Sequence, residues 1–320
     1  MNNQVAELDV ATSENNIQES IAQVYIQILY AAESVKVNES TLQVSIAQRD
    51  RGQELLNAGS IAKSDFAQLE AQVSTDRYQL VTAQATLEDY KLQLKQLLEL
   101  DGENEMNIYL PALSDENVLA PLPTKKDVYI SALSLRPEIE ASKLNVEASE
   151  LGIGIAKSSY LPTISLSAGI GTNHTSGSDF TFGEQVKNGW NNSIGLSVSV
   201  PIFNNRQTKS AVQKAKLQYE TSMLSLLDEQ KTLYKTIEGL WLDANSAQQR
   251  YAAANEKLKS TQISYELISE QFNLGMKNTI ELLTEKNNLL QAQQEQLQAK
   301  YMAILNTQLL KFYQGDQLAL

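Results

Sequence analysis

The sequence predicts a mainly α-helical protein in which two long antiparallel coiled-coil hairpins flank a two-stranded antiparallel β-hairpin. All six prolines lie between Pro111 and Pro201, and the polar flanks on either side contain none. Proline inside a helix costs about 3 kcal/mol, so the proline-free flanks can form very long helices. Two short segments in the proline-containing middle alternate polar and apolar residues, which is typical of strands with two different faces.

Composition narrows the class of protein. The chain has 320 residues, a formal net charge of −12, one histidine and no cysteine. An acidic chain lacks the basic footprint that binding to nucleic acid needs. The sequence contains no run of about 18 apolar residues, so no transmembrane helix is predicted. Since no nucleophile–base pair, phosphate-binding loop or metal motif is present, we predict neither an enzyme nor a cofactor.

Residues 1–103 and 205–320 are predicted to form the two helical hairpins. Both flanks carry apolar residues at every seventh position, at Phe66, Val73, Leu80, Leu87 and Leu94 in the first and at Leu283, Leu290, Leu297 and Ile304 in the second. The positions between them are largely polar. A helix with so narrow an apolar stripe has water on more than one side, which is typical of a filament or of a tube with a wet bore.

Two further segments complete the predicted domain organisation. Residues 104–160 are predicted to be a linker with short helices, one of which starts near Pro137, because proline is favoured in the first turn of a helix. Residues 161–204 are predicted to be a β-hairpin that lies in a membrane.

The strands of this hairpin are predicted at about residues 163–170 and 193–200. Each approaches the roughly 9–11 residues of a membrane-spanning strand. Pro162 precedes the first strand and Pro201 follows the second, where a missing ladder donor is tolerated. The connection, about residues 172–191, is long and polar and has aromatic residues near it, as in the outer loops of membrane barrels.

The two helical flanks form an internal repeat. They align at an offset of 216 residues, which is the spacing between Gly59 and Gly275. Asn57 falls on Asn273 and Asp65 falls on Glu281 at the same offset. In each copy a long helix breaks at the glycine and a second helix follows, which is the pattern of a helical hairpin with its tip at that glycine.

The repeat also predicts a missing segment. The second helical hairpin follows a strand that ends before Pro201, and the same offset places the matching strand about 15 residues before Met1. We therefore expect a further strand pair, its leading helices and a signal or lipid-anchor segment upstream. The alternative is a complete chain with a single strand pair.

Five features, in this order along the chain, resemble the TolC-like outer-membrane efflux channel family, also called outer membrane factors. They are Gly59, Leu135–Ile139, Tyr160–Leu166, Leu196–Asn204 and Gly275. The resemblance covers nearly the whole chain, and a complete member would carry a further N-terminal part, so the resemblance implies an N-terminally truncated member.

The resemblance implies a function and a set of partners. Three identical subunits would share one β-barrel in the outer membrane and one long α-barrel in the periplasm, with residues 104–160 at the equator. The trimer would be a passive conduit to the exterior in a tripartite efflux or type I secretion system. It would contact the lipid bilayer, a periplasmic adaptor (a membrane fusion protein) and an inner-membrane pump of the RND, ABC or MFS type.

The resemblance further implies a gate at the hairpin tips. In the family an aspartate meets a tyrosine and an arginine there, and the matching positions are Asp65, Phe272 and Lys277. Phe272 lacks the hydroxyl, and lysine lacks the bidentate fork of arginine, so an Asp65–Lys277 latch would be weak. The alternative role for Asp65 is to complement the dipole of its helix from the first turn.

Acidic rings in the constriction are a second implied feature. The matching positions are Glu281 and Thr284, with Glu285 one place on. Three copies of Glu281 around a threefold axis would concentrate negative potential and favour cations. Alternatively, Asn278 to Glu281 is a helix-start capping box, and Glu285 belongs to a solvated helix face.

The tips themselves are predicted to contact the adaptor through Gly59, Ser60, Gly275 and Met276. Both glycines also fit the ordinary role of a helix C-cap. The alternative function is that of a periplasmic coiled-coil adaptor or structural protein without a pore. An adaptor would need a lipoyl-like β module beside one hairpin, and the sequence shows none.

Overall fold

The computed structural model describes residues 1–100, 108–109 and 118–318. Parts of the predicted segments 1–103 and 104–160 therefore lie outside the described residues. The fold comprises two compact units. One contains residues 6–140 and 229–320, and is called the helical unit here. The other contains residues 1–5 and 141–228, and is called the strand unit.

The order of the elements confirms the predicted fold class. Long helices form antiparallel pairs, and a two-stranded antiparallel hairpin interrupts them, with the bounds α1 Asn2–Asn57, α2 Lys63–Leu97, α3 Lys125–Leu135, α4 Pro137–Ser158, β1 Thr163–Gly171, α5 Phe182–Asn188, β2 Asn191–Ser199, α6 Gln207–Asn273 and α7 Thr279–Gln314. None of the helices in the described ranges carries an apolar stretch long enough to cross a membrane.

The two helical hairpins turn at the glycines that the repeat identifies. Gly59 has φ +72°, and the N–H of Ser60 donates to the carbonyl of Leu55 at 2.8 Å. Gly275 has φ +73° and ends α6 with the same pattern of bonds. This is a Schellman C-cap, which needs a left-handed residue and therefore favours glycine. Each bend is thus encoded locally.

Among the described residues, three apolar clusters hold the helical unit together. The largest joins α1, α6 and α7 around Ile26, Tyr251 and Ile304. A second joins α3 and the start of α4 to α6 and α7. The third is small and lies beside the two bends. The core is therefore divided along the helices, as expected where largely polar helices pack side by side.

In the first half of α7 the seven-residue stripe marks the packed face but not its most buried residues. In α7 the residues Leu282 and Leu289 are buried, whereas the stripe residues Leu283 and Leu290 one place on are half-buried. Helix α7 contacts α1, α2, α3 and α6, so its packed surface is broader than a single stripe. A stripe derived for one partner helix therefore misses the centre of a surface with several partners.

In the strand unit, β1 and β2 pair antiparallel from Thr163↔Ser199 to Gly171↔Asn191. The connection between them contains the short helix α5, which its polar composition did not predict. The start of α5 is a capping box, in which the N–H of Thr181 donates to Glu184 Oε2 at 2.9 Å. The spacing Thr-x-x-Glu was the signal that could have predicted this short helix.

Candidate functional site at the hairpin tips

The two tips lie together in the helical unit. Leu69 of α2, Phe272 of α6 and Leu282 of α7 form a buried apolar cluster, called the tip cluster here. Phe272 is only 3% exposed. A phenylalanine here therefore packs as a core residue, and it leaves no buried hydroxyl that would need a partner.

Lys277 and Glu281 form an ion pair across the start of α7, with Nζ 2.5 Å from Oε1. Asn278 caps the same helix, since its Oδ1 accepts the N–H of Glu281 at 2.9 Å and its own N–H donates to Glu281 Oε2 at 3.2 Å. The hydrogen bond from Lys277, followed by that from Asn278, lowers the pKa of Glu281. The capping box predicted for Glu281 is thereby confirmed.

Asp65 lies in the first turn of α2, and its Oδ2 accepts the N–H of Ala62 at 3.3 Å. A carboxylate there complements the helix dipole. Within the described part of the chain the ion-pair partner of Lys277 is Glu281 and not Asp65. The Asp65–Lys277 latch therefore stays a prediction.

The two other ring positions differ in exposure. Thr284 is exposed and donates its hydroxyl to the carbonyl of Ile280 at 2.8 Å. Glu285 is half-buried, and its Oε2 accepts from Ser264 Oγ at 3.1 Å, which joins α7 to α6. Glu285 thus has a partner on the neighbouring helix rather than solvent alone.

The bend residues predicted to meet a partner are accessible. Gly59, Ser60, Gly275 and Met276 are all exposed. Beyond Met276, which is 71% exposed, the second tip also exposes Leu274 and Ile280, among other residues. Adjacent exposed apolar side chains are typical of a protein contact surface.

Sequence reasoning missed a buried polar cluster that joins three helices. Lys286 of α7 donates to Asp76 of α2 and to Ser45 of α1, and the Ser45 hydroxyl donates to Asp76. Gln72 donates to the second Asp76 oxygen at 2.9 Å. The available signal was a charged residue at helical spacing between two apolar ones: Lys286 lies four residues after Leu282 and three before Leu289.

A second missed residue is Arg136, which explains the Leu-Arg-Pro-Glu motif. It is 6% exposed, and its guanidinium contacts Glu19 at 2.6 Å and Glu138 at 3.1 Å. The same group lies 3.8 Å from the centroid of the Tyr313 ring. Arg136 thereby ties α1 and the C-terminal part of α7 to the junction between α3 and α4, with Pro137 at the first helical position as predicted.

The strand unit has two chemically different faces. Cross-strand partners lie on one face, and successive residues alternate between faces. One face carries the pairs Ile164↔Val198, Leu166↔Leu196 and Ala168↔Ile194, and the other carries Thr163↔Ser199, Ser165↔Ser197, Ser167↔Gly195 and Gly169↔Ser193. The apolar face is exposed in this single chain, with Leu166 at 76% and Ile194 at 84%.

Paired helical hairpins and a two-stranded antiparallel hairpin also occur together in solved outer-membrane channels. The family model described as "Outer membrane efflux protein" matches residues 128–315, which is more than half of the chain. The chain therefore belongs to the outer membrane efflux protein family. Members are transport proteins, so the predicted absence of enzymatic activity and the outer-membrane location are confirmed at the level of the family.

Two individual relatives are consistent with this family membership. The chain is 24% identical to the outer membrane efflux protein BepC of Brucella suis and 23% identical to the outer membrane protein TolC of Escherichia coli, over 91% and 94% of its own length. It spans 61% and 62% of the length of these two proteins.

Solved structures show the same fold. The outer-membrane channel OprN superimposes with a TM-score of 0.80 at 20% identity, covering 97% of this chain and 68% of OprN. CusC superimposes with a TM-score of 0.82 at 18% identity, covering 98% of this chain and 71% of CusC.

Proposed function

We propose that the chain is a subunit of a homotrimeric outer-membrane channel that serves as a passive conduit from the periplasm to the exterior. The conduit would belong to a tripartite efflux or type I secretion system. The observation that carries the proposal is the two-faced strand pair, with Leu166 and Leu196 on one face and Ser165 and Ser197 on the other.

The chemistry of the two faces supports a membrane barrel around water. A two-stranded hairpin is not stable alone, and open strand edges are not tolerated in lipid. The strands therefore need partner strands that close the sheet. In a closed barrel the apolar face contacts lipid, and the small hydroxyl and glycine face lines a wet lumen. The other subunits of the homotrimer would contribute partner strands.

The polar helical hairpins fit the periplasmic part of such a conduit. In this assignment residues 161–204 lie in the outer membrane, residues 104–160 form the equatorial linker, and residues 1–103 and 205–320 build the periplasmic wall. The tips would form the gate. Glu281 and Lys277 face each other across a helix start there, and Gly59 and Gly275 with Ser60 and Met276 would meet the periplasmic adaptor.

The energy for transport would come from an inner-membrane pump of the RND, ABC or MFS type that docks through the adaptor. Nothing in the chemistry of the described residues calls for a cofactor. The alternative function, a coiled-coil adaptor or structural protein without a pore, lacks support from the strand unit, because an adaptor has no use for a strand pair with an exposed apolar face.

Reconstitution separates these two functions. The protein is extracted from outer membranes in detergent, its assembly mass is measured, and it is added to a planar lipid bilayer. A mass of three subunits together with stepwise ion conductance would support the conduit. A monomer or dimer that binds adaptor or pump components without conductance would overturn it in favour of the adaptor.

A further inference from the structure

We propose that Ser45, Asp76 and Lys286 form a clamp that holds the first helical hairpin to the second and releases as a single unit when the tips part. The three side chains come from α1, α2 and α7, and they are 2%, 2% and 3% exposed. An effect of this release on conduction through a pore rests on the proposed channel function. The clamp itself is a property of the helical unit.

The hydrogen bonds of the clamp form a closed triangle. The Lys286 ammonium donates to Asp76 Oδ2 and to Ser45 Oγ, and the Ser45 hydroxyl donates to the same carboxylate oxygen. The amide of Gln72 satisfies Asp76 Oδ1 at 2.9 Å. If the two hairpins part, Lys286 loses both of its hydrogen-bond acceptors, whereas Asp76 keeps Ser45 and Gln72 and loses its counter-charge, because Asp76 belongs to the first hairpin and Lys286 to the second.

The surroundings of the clamp differ on its two sides along the helices. Toward the bends lies the apolar tip cluster, with Leu282 one helical turn before Lys286. Away from the bends, a cavity of about 280 Å³ lies between α1, α2 and α7, and its polar wall includes Tyr30, Ser34, Asn38, Gln79, Thr82 and Gln294. Gln79 is three residues beyond Asp76. The clamp thus lies between the apolar tip cluster and the cavity with the polar wall.

Burial makes the clamp respond in an all-or-none manner. A buried ion pair with complete hydrogen bonds is tolerated, but a small displacement leaves two charges neither paired nor hydrated. Burial lowers the pKa of Lys286, and the hydrogen bond to Asp76 opposes that shift, which reflects the same cost of an unpaired ammonium. Full separation relieves the cost, since water then reaches both groups. Intermediate positions of the hairpins are therefore the least stable.

A second ion pair in the same unit provides a contrast. Lys257 and Glu295 are 2.7 Å apart, but they join α6 to α7 within one hairpin and both side chains are exposed. Such a pair contributes little to stability, and breaking it leaves no buried charge without a partner. A substitution at Lys257 is therefore a matched control for one at Lys286.

The distance between the tips tests the clamp directly. The chain has no cysteine, so Ser60→Cys and Met276→Cys place two spin labels without background. Double electron–electron resonance is measured on the membrane-assembled full chain, with labelled subunits diluted into unlabelled ones. The parent protein should give one narrow distribution of distances between the two labels. Lys286→Met should increase a longer-distance population by about tenfold or more, because one buried charge loses its partner.

Three further variants decide between a clamp and a general loss of structure. The double variant Asp76→Leu/Lys286→Met removes both charges and should restore the narrow distribution. Lys257→Met should leave it unchanged. Asp76→Asn replaces Lys286→Met if the latter does not assemble, and the same longer distances are expected. A narrow distance distribution in both Lys286→Met and Asp76→Asn would overturn the clamp. The same broadening in Lys257→Met would also overturn it.

Conductance recorded on the same samples keeps the two proposals apart. Longer tip distances in Lys286→Met without conductance in any sample would support the clamp and contradict the channel. Conductance in the parent protein with unchanged tip distances in Lys286→Met would support the channel and contradict the clamp.

Discussion

The ammonium of Lys277 lies 2.5 Å from a carboxylate oxygen of Glu281, across the start of α7. Glu281 at this predicted constriction therefore carries its own counter-charge on the same chain. A ring of three such pairs has far less net negative potential than a ring of three free carboxylates. The consequence for ion selectivity can be measured.

Lys277→Met should make the channel more selective for cations. The substitution keeps the aliphatic stem and removes the charge, so the Glu281 carboxylates act on the pore without compensation. The measurement is the reversal potential of the assembled channel in a salt gradient. Glu281→Gln should shift it in the opposite direction. Equal reversal potentials for the parent protein and Lys277→Met would show that these groups do not face the pore.

The pH dependence of the same pair is a second prediction. The pKa of Glu281 is lowered, first by the hydrogen bond from Lys277 and then by that from the backbone of Asn278. A carboxylate with a lowered pKa stabilises the fold above its ordinary pKa and loses that contribution as pH falls through the lowered value. In Lys277→Met the loss should begin at a higher pH. Titration of the Glu281 carboxyl carbon by NMR checks this, and identical curves in the two proteins would contradict it.

Lys277→Glu tests the predicted latch with Asp65. If the two residues pair in the closed trimer, reversing the charge should make the channel leak in the absence of adaptor. An exposed pair contributes about 0–1 kcal/mol, so the open probability should rise by no more than about fivefold. Asp65→Asn should have a similar effect. Unchanged closure in both variants would exclude the latch.

Gly52 of α1 permits the close approach of α1 and α2. A Cβ at this position would overlap Leu69 Cδ1, and Leu69 is only 1% exposed. Gly52→Ala should therefore lower the free energy of unfolding by about 1–3 kcal/mol, as overpacking does. Chemical denaturation followed by circular dichroism measures the change.

Gly239→Ala is the matched control for Gly52→Ala. Gly239 lies within α6, and a Cβ added there would have no side chain or neighbouring element within 4 Å, so alanine meets open space. Alanine favours the helix over glycine, and a gain of about 0.5–1 kcal/mol is expected. Equal effects of the two substitutions would show that the contact with Leu69 is not the cause.

Arginine substitutions in β1 distinguish the two faces of the strand pair. Leu166→Arg places a charge on the proposed lipid face, which costs about 2–4 kcal/mol near the middle of a bilayer. Outer-membrane assembly should fall sharply, as measured by the amount of folded trimer. Ser167→Arg, one residue on, should assemble normally and shift selectivity toward anions. Equal tolerance of both variants would contradict the barrel.

Local signals in the sequence were sufficient for the elements of the fold. The glycine bends at Gly59 and Gly275, the proline at the start of α4 and the alternation in β1 and β2 each act within a few residues. Such signals determine backbone conformation at the place where they occur. The short helix α5 was missed although its capping box is equally local, because a polar connection was expected there.

By itself the sequence determined the helices, the strand pair and both bends, because backbone preferences and periodicity depend on near neighbours. The tertiary structure alone decided which side chains meet. Phe272 became a core residue, and Lys286 found Asp76 across 210 residues of chain. Whether a charged residue is solvated, paired or buried without a partner depends on what packs around it. Spacing along the chain does not carry that information.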